Sequence, residues 1–241
     1  MLYPDYFYSK IDLMKRLLIF SFFLYPLLFL SAQGEDGFVS IFNGESTHNW
    51  TISTENKGSF MVQDGNLIAK GGRAHIFYTP DGNETSFKNF ELKLKVRTTE
   101  GSNSGVYFHT QYQKKGWPDL GFEAQVNSTH SDPRKTGSLY GVVNIFAPKD
   151  VEPYVVKVGK NREVFVYKDA APSTDMEWFD YHIIVQDNRI IIKVNGETTV
   201  DWTQPEDWTK KRRIGEGTVG IQAHDPKSET HYKDIKQKIL D

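Results

Sequence analysis

The chain has no cysteine among its 241 residues. That absence removes a disulfide framework, a thiolate nucleophile, a Cys-ligated zinc and a lipid-modified Cys anchor. A surplus of positive charge is also missing. Lys and Arg number 29 against 31 Asp and Glu, a formal net charge of −2, so no nucleic-acid partner is expected, because that would require a net basic face. No segment sustains a 3.6-residue apolar period, which argues against long amphipathic helices. Gly-x-Ser-x-Gly, His-Glu-x-x-His, P-loop, Gly-x-Gly-x-x-Gly and EF-hand patterns are all lacking. Aromatic residues, in contrast, are plentiful. The chain carries 16 Phe, 12 Tyr and 5 Trp, which supply a packed core and lean toward strands.

One long apolar run stands near the start. Met14-Lys15-Arg16 precedes an apolar stretch from Leu17 to Leu30, followed by Ser31-Ala32-Gln33. A short basic start, an apolar centre and a small residue before a polar one read as a secretory signal cleaved after Ala32. Pro26 interrupts the run, which is shorter than the roughly 20 residues of a spanning helix. Residues 1–32 are thus expected to be a signal segment with Met14 as its true start. Residues 37–241 are expected to be a single domain, exported to the periplasm or the exterior and without a membrane span after cleavage.

Alternation governs the remainder. Phe90-Glu91-Leu92-Lys93-Leu94-Lys95-Val96-Arg97 switches between apolar and charged, as a half-buried strand does. Tyr181–Val185 and Arg189–Val194 flank Asp187-Asn188 as a hairpin, and Asn195-Gly196 turns the chain into a further strand over 197–200. Phe60–Val62, Asp64-Gly65 and Asn66–Ile68 form another hairpin. Further strands are expected over 104–111, 121–127, 163–168, 218–223 and 230–239. Many short strands in one domain of this length predict an all-β, two-sheet sandwich.

The candidate chemistry gathers in 102–141. On a strand over 104–111, Tyr107 and His109 would share the face opposite Val106 and Phe108. On 121–127, Glu123, Gln125 and Asn127 would share a face opposite Phe122, Ala124 and Val126. Such a polar row is commonly a solvated surface. Tyr107, Trp117 and Tyr140 argue for more, because their flat rings suit sugar rings. If the two strands pair, His109 and Glu123 are expected to approach each other. Carboxylate, imidazole, amides and aromatic rings together make a carbohydrate site. Gln222 and His224 share a face of the 218–223 strand and join the list of candidates, while His182 and His231 rank behind. His130 and Asp132 lie in a loop placed to cap the cleft, with Lys135 reaching toward a substrate oxygen. Trp178, Trp202 and Trp208 read as packing residues. A divalent metal held by His and carboxylates from separate strands is compatible with the composition, because such ligands need no local spacing.

Seven short motifs then occur in order. They are Gly37-Phe38-Val39-Ser40-Ile41-Phe42-Asn43-Gly44 with Trp50, Val62-Gln63-Asp64-Gly65-Asn66-Leu67, Asn103-Ser104-Gly105-Val106-Tyr107-Phe108, Gly121-Phe122-Glu123-Ala124-Gln125, Thr136-Gly137-Ser138-Leu139-Tyr140-Gly141, Val194-Asn195-Gly196, and Gly217-Thr218-Val219-Gly220-Ile221-Gln222-Ala223-His224. In this order the chain resembles the 3-keto-disaccharide hydrolase family over about 37–241. The resemblance implies a concanavalin A-like jelly-roll sandwich that binds ligands on its concave sheet. It also implies cleavage of glycosides whose sugar bears a ketone at carbon 3. By that implication Glu123 is the base, and His109 and His224 supply acid or enolate-stabilising groups. Asn103, Tyr107, Gln125, Asn127, Lys135, Tyr140 and Gln222 would hold substrate, and Trp117 would stack on it. Two positions depart from the family pattern: His109 stands where Arg is frequent, and Asn127 lies near a frequent Asp. Three other readings remain. One is a conventional two-carboxylate glycosidase. The others are a non-catalytic carbohydrate-binding module and an interaction domain with an exposed apolar patch.

Overall fold

A computed structural model describes residues 35–241. The expected signal segment over 1–32, with its start at Met14, lies outside the described residues. The described strands, in chain order, are β1 (Val39–Ser40), β2 (Trp50–Ile52), β3 (Phe60–Gln63), β4 (Asn66–Lys70), β5 (Ala74–Tyr78), β6 (Phe90–Thr98), β7 (Ser104–Thr110) and β8 (Phe122–Val126). They continue with β9 (Val143–Phe146), β10 (Val156–Val158), β11 (Val164–Tyr167), β12 (Phe179–Gln186), β13 (Arg189–Val194), β14 (Glu197–Thr203), β15 (Thr218–Ala223) and β16 (Glu229–Ile239). Among the described residues no helix is long and apolar enough to cross a membrane.

The expected all-β sandwich is what forms. One sheet runs β14-β13-β12-β6-β16-β4-β3, with β1 attached to β16, and the second runs β2-β5-β15-β7-β8. A small three-stranded sheet, β10-β11-β9, contains a parallel pair between β11 and β9. The alternation over 90–97 does its predicted work. Phe90, Leu92, Leu94 and Val96 are buried, and the charged residues between them are half-buried on the outer face. Phe179, Tyr181, Ile183 and Val185 of β12 do the same beside them. These inward side chains meet Val106, Phe108, Phe122, Ala124, Val219 and Ile221 of the second sheet in one hydrophobic core. Burying one such ring or aliphatic chain contributes about 1.5–3 kcal/mol.

The second sheet differs from the first because every residue of β7, β8 and β15 is buried. One face supplies the core. The other carries Tyr107, Glu123, Gln125 and Gln222, buried yet outside the hydrophobic cluster. This polar second layer is the part of the fold that positions the site.

Regular pairing is interrupted within the second sheet. Between Thr218/Thr110 and Gly220/Tyr107 the pairing of β15 with β7 slips by one residue, so β7 holds a bulge. His109 occupies it with φ at 52°. Two glycines admit the bulge. A Cβ on Gly121 would lie 2.1 Å from the Phe108 carbonyl oxygen, and one on Gly217 would lie 2.3 Å from that of Thr110. Gly121→Ala should therefore cost about 2–5 kcal/mol, from a left-handed backbone (φ +74°) and a backbone collision together. Gly141→Ala, with φ +72° and open space around it, should cost only about 1 kcal/mol. Chemical denaturation of the two variants separates the terms; equal losses would mean that the collision is relieved by movement of the bulge.

Candidate functional site

Register builds the site. Antiparallel pairing sets Tyr107 opposite Glu123 and Gly105 opposite Gln125. On the other side of β7, β15 brings in Gln222, which pairs in turn with His75 of β5. Loops close around this row. The resulting cleft, about 560 Å³ and partly open to solvent, is lined by Asn103, Tyr107, Trp117, Glu123, Gln125, Asp132, Tyr140, Arg212, Gln222 and His224.

Glu123 lies at the floor and is 5% exposed. The Tyr107 hydroxyl donates to its Oε2 at 2.8 Å, and Gln222 Nε2 donates to its Oε1 at 3.0 Å. Arg212 Nη1 stands 3.6 Å from Oε2, an ion-pair separation too long for a hydrogen bond. Burial pushes the Glu123 carboxyl up; the Arg212 charge and the hydrogen bonds from Tyr107 and Gln222 work against that push without cancelling it. Tyr107 is held well above the usual phenol range, by burial first and the Glu123 charge second, so it stays a donor. Glycine at 105 is needed here. A Cβ at that position would lie 2.5 Å from Glu123 Oε1.

A second layer of polar groups flanks the carboxylate. Gln125 Nε2 donates to Asn103 Oδ1 at 3.0 Å, and Asn103 Nδ2 lies 3.3 Å from His130 Nδ1. Gln125 Oε1, Gln222 Oε1 and Arg212 Nη1 are buried without a hydrogen-bond partner. Buried polar atoms normally have one, and three such atoms around one cleft point to a ligand that supplies both donors and acceptors. Trp117, 41% exposed, stands over one end. Its ring is 5.7 Å from that of His75 and 5.5 Å from that of His224, with the Arg73 guanidinium 5.1 Å from its centre. Burial drives His75 down to about 4, so its ring is neutral near neutral pH.

His224 lies just beyond the end of β15. Its Nδ1 donates to Asp225 Oδ2 at 2.8 Å. Burial opposes ionisation of Asp225, but hydrogen bonds from Ser228, His224 and the Lys227 amide hold the carboxyl down at about 2. The His130 ring approaches that of His224 to 5.5 Å. His130, His224 and Asp225 each offer one ligand atom within 4.8 Å of the others. Two imidazoles and one carboxylate form a donor set that a divalent transition metal accepts.

Three of the expected site residues lie elsewhere. His109 does not approach Glu123, because the bulge turns its ring off the expected face. Its Nε2 donates to the Lys88 carbonyl at 2.8 Å, its Nδ1 accepts from the Gly215 amide at 3.3 Å, and the ring packs 5.6 Å from Phe90. Both nitrogens are satisfied in a neutral ring, and burial lowers its pKa. Asn127 staples a loop rather than facing the cleft, since its Nδ2 donates to the carbonyls of Asp132 and Arg134. Lys135 acts likewise. Its Nζ contacts the carbonyls of His130 (2.7 Å) and Asp132 (3.0 Å) and Asn127 Oδ1 (3.4 Å), which uses its three protons. Asn103, Tyr107, Trp117, Glu123, Gln125, Tyr140, Gln222 and His224 do line one cleft.

Arg212 and His75 were not among the sequence candidates. Arg212 enters from the loop between β14 and β15, inside the basic run Lys210-Lys211-Arg212-Arg213. Trp208, expected to be a packing residue, packs on Trp202 at 5.0 Å and also donates from Nε1 to the Arg212 carbonyl at 2.7 Å. A basic run just ahead of the strand that carries Gln222 was the available signal. His75 offered less, because its strand is short and apolar on both sides.

Comparison with known proteins agrees with this picture. A family model described as a 3-keto-alpha-glucoside-1,2-lyase-like domain matches residues 37–238. A 3-keto-disaccharide hydrolase from Bacteroides thetaiotaomicron is 22% identical, over 86% of this chain and 79% of its own length. A crystal structure from Parabacteroides distasonis, provisionally assigned as a glycosyl hydrolase, superposes with a TM-score of 0.58 at 21% identity, covering 86% of this chain and 95% of that one. The carbohydrate binding module CBM66 from Bacillus subtilis shares the fold with a TM-score of 0.50 at 12% identity, covering 79% and 96%. With its family model matched over nearly the whole described region, the chain is a carbohydrate-active protein belonging to the 3-keto-alpha-glucoside-1,2-lyase-like family.

Proposed function

We propose that the chain cleaves glycosides whose sugar is oxidised to a ketone at carbon 3. The observation that carries this reading is the Glu123 carboxyl, buried, raised in pKa and fixed by Tyr107 and Gln222 at the floor of a polar cleft. A lectin can leave its polar groups untuned, whereas a catalyst that abstracts a proton needs a base poised nearer neutrality.

A ketone at carbon 3 acidifies the proton on carbon 2. Glu123 takes that proton, and the electron pair of the broken C–H bond moves into an enolate. The enolate collapses to a double bond between carbons 1 and 2, the ketone re-forms, and the group on carbon 1 departs with its bonding electrons. A proton reaches the departing oxygen, and His224, held by Asp225, is the assigned donor. Water then adds across the double bond, which gives net hydrolysis. Asn103, Gln125, Gln222 and Tyr140 hold hydroxyls, and Trp117 stacks on a ring. Were a divalent ion held by His130, His224 and Asp225, it would polarise a sugar oxygen in place of the proton that His224 otherwise donates. We also propose export, on the basic, apolar and small-residue pattern over 14–32. N-terminal sequencing of the protein from separated cell fractions should find Gln33 first in the exported fraction; an intact Met1 or Met14 there would refute it.

The deciding assay offers the purified protein a chromogenic 3-keto glucoside and its unoxidised parent, with and without chelator. Release from the ketone alone is expected. Release from the parent would favour a two-carboxylate glycosidase, with Asp132 as the second acid lining the cleft. Binding without release would favour the binding-module reading. Loss of release with chelator, restored by divalent metal, is the result expected if the His130–His224–Asp225 set carries an ion. Glu123→Gln should lower kcat/KM roughly 10²–10⁴-fold with the fold retained; full activity would remove Glu123 from the base role. Because the base must be ionised and burial raises its carboxyl, activity should rise with pH on an acid limb above the ordinary 4.5 of glutamate.

A further inference from the structure

We infer that the guanidinium of Arg212 reads the ketone oxygen and carries the enolate charge, a role that rests on the proposed elimination. No motif in the sequence assigns this residue. Three observations carry the inference. First, Arg212 Nη1 is buried without a hydrogen bond, although 3.6 Å from Glu123 Oε2. An arginine placed only to neutralise a carboxylate would close onto it in the bidentate geometry that guanidinium favours. This one is held off, with its guanidinium carbon 5.8 Å from the Tyr107 ring centre and 6.0 Å from that of Tyr140.

Second, the separation fits the chemistry. The proton that leaves and the oxygen that gains charge sit on adjacent carbons, so base and oxyanion donor must be neighbours. Glu123 Oε2 and Arg212 Nη1 are such a pair. As the C–H bond breaks toward Glu123, negative charge appears on the ketone oxygen, and a fixed cation beside it stabilises that charge most when it has fully developed. Third, the other unpartnered atoms complete the complement. Gln125 Oε1 and Gln222 Oε1 can only accept, so they call for ligand hydroxyls. Arg212 can only donate, so it calls for an oxygen acceptor. A sugar with hydroxyls and one carbonyl meets both demands, and its fully hydroxylated parent still offers an acceptor but not one that becomes an anion.

Arginine serves better than lysine here. Its planar fork presents several donors in a fixed plane, with the guanidinium carbon near two aromatic rings. Its charge also keeps Glu123 from rising further. The groups facing Glu123 are Tyr107 of β7, Gln222 of β15 with His224 beyond its end, Tyr140 of the loop between β8 and β9, and Arg212 itself. Of these, Arg212 is the larger charge holding the carboxyl down and His224 the smaller, so loss of Arg212 would move it up.

The test compares binding of the 3-keto glucoside and its parent to Glu123→Gln and to the double variant Glu123→Gln/Arg212→Gln, with turnover of the ketone measured in Arg212→Gln and Arg212→Lys. Preference for the ketone should fall roughly ten- to hundredfold when Arg212 is lost, and kcat/KM should fall about 10²–10³-fold. In Arg212→Gln the acid limb of the pH profile should move up, a change that a merely structural residue would not produce. Arg212→Lys should keep the limb near its place yet lose most of the rate; it also serves if Arg212→Gln is unfolded by circular dichroism. Undiminished ketone preference and rate in the folded variants would overturn the inference and leave the elimination standing. A wild-type protein that neither binds nor cleaves the ketone would overturn both.

Discussion

Keeping a carboxylate out of water is the constraint around which the second sheet is organised. An isolated buried charge is costly, and that cost is offset only by groups that hydrogen-bond to it or carry the opposite sign. Three adjacent strands contribute to this. β8 carries Glu123, β7 supplies the Tyr107 hydroxyl and the missing side chain of Gly105, and β15 supplies the Gln222 amide. The opposite faces of the same strands form half of the hydrophobic core. Movement of the site therefore requires movement of the core, which gives the carboxylate a fixed address.

The loops fall into two kinds, and the difference has a function. The segment after β8 is tied to itself through Asn127, Lys135 and backbone carbonyls. The segment before β15 is anchored through Trp208 and the Ile214 amide on Gln204, yet it delivers an arginine whose fork is not saturated. One loop shapes the wall of the cleft, and the other leaves chemistry open toward a ligand.

The family assignment and the unsaturated polar rim converge on a saccharide as the partner. The fold alone does not separate binding from cleavage, because a carbohydrate binding module shares the same sandwich. What separates the readings is the tuning of Glu123 and the position of Arg212, both local properties of a few side chains.

Much of this was legible in the chain. Period-2 alternation over 90–97, the Asp-Asn and Asn-Gly turns and the row of Glu123 and Gln125 depend on neighbours in sequence, and all appear as expected. His109 was not legible, because one extra residue in β7 reverses the facing of the residues beyond it, and a bulge is set by pairing with β15, more than a hundred residues away. Asn127 and Lys135 look like ligands as letters; only the closed loop shows that backbone carbonyls already hold them. Arg212 and His75 come from elements distant in sequence: a basic run hinted at the first, but its place beside Glu123 and that of His75 beside Tyr107 and Trp117 are set by the fold. The sequence by itself determined the strands, the sandwich and the identity of the carboxylate, because these depend on periodicity and motif. Tertiary structure alone decided which cation stands beside that carboxylate and which imidazole shares its cleft, because register, bulges and loop anchoring act across strands that never meet in the chain.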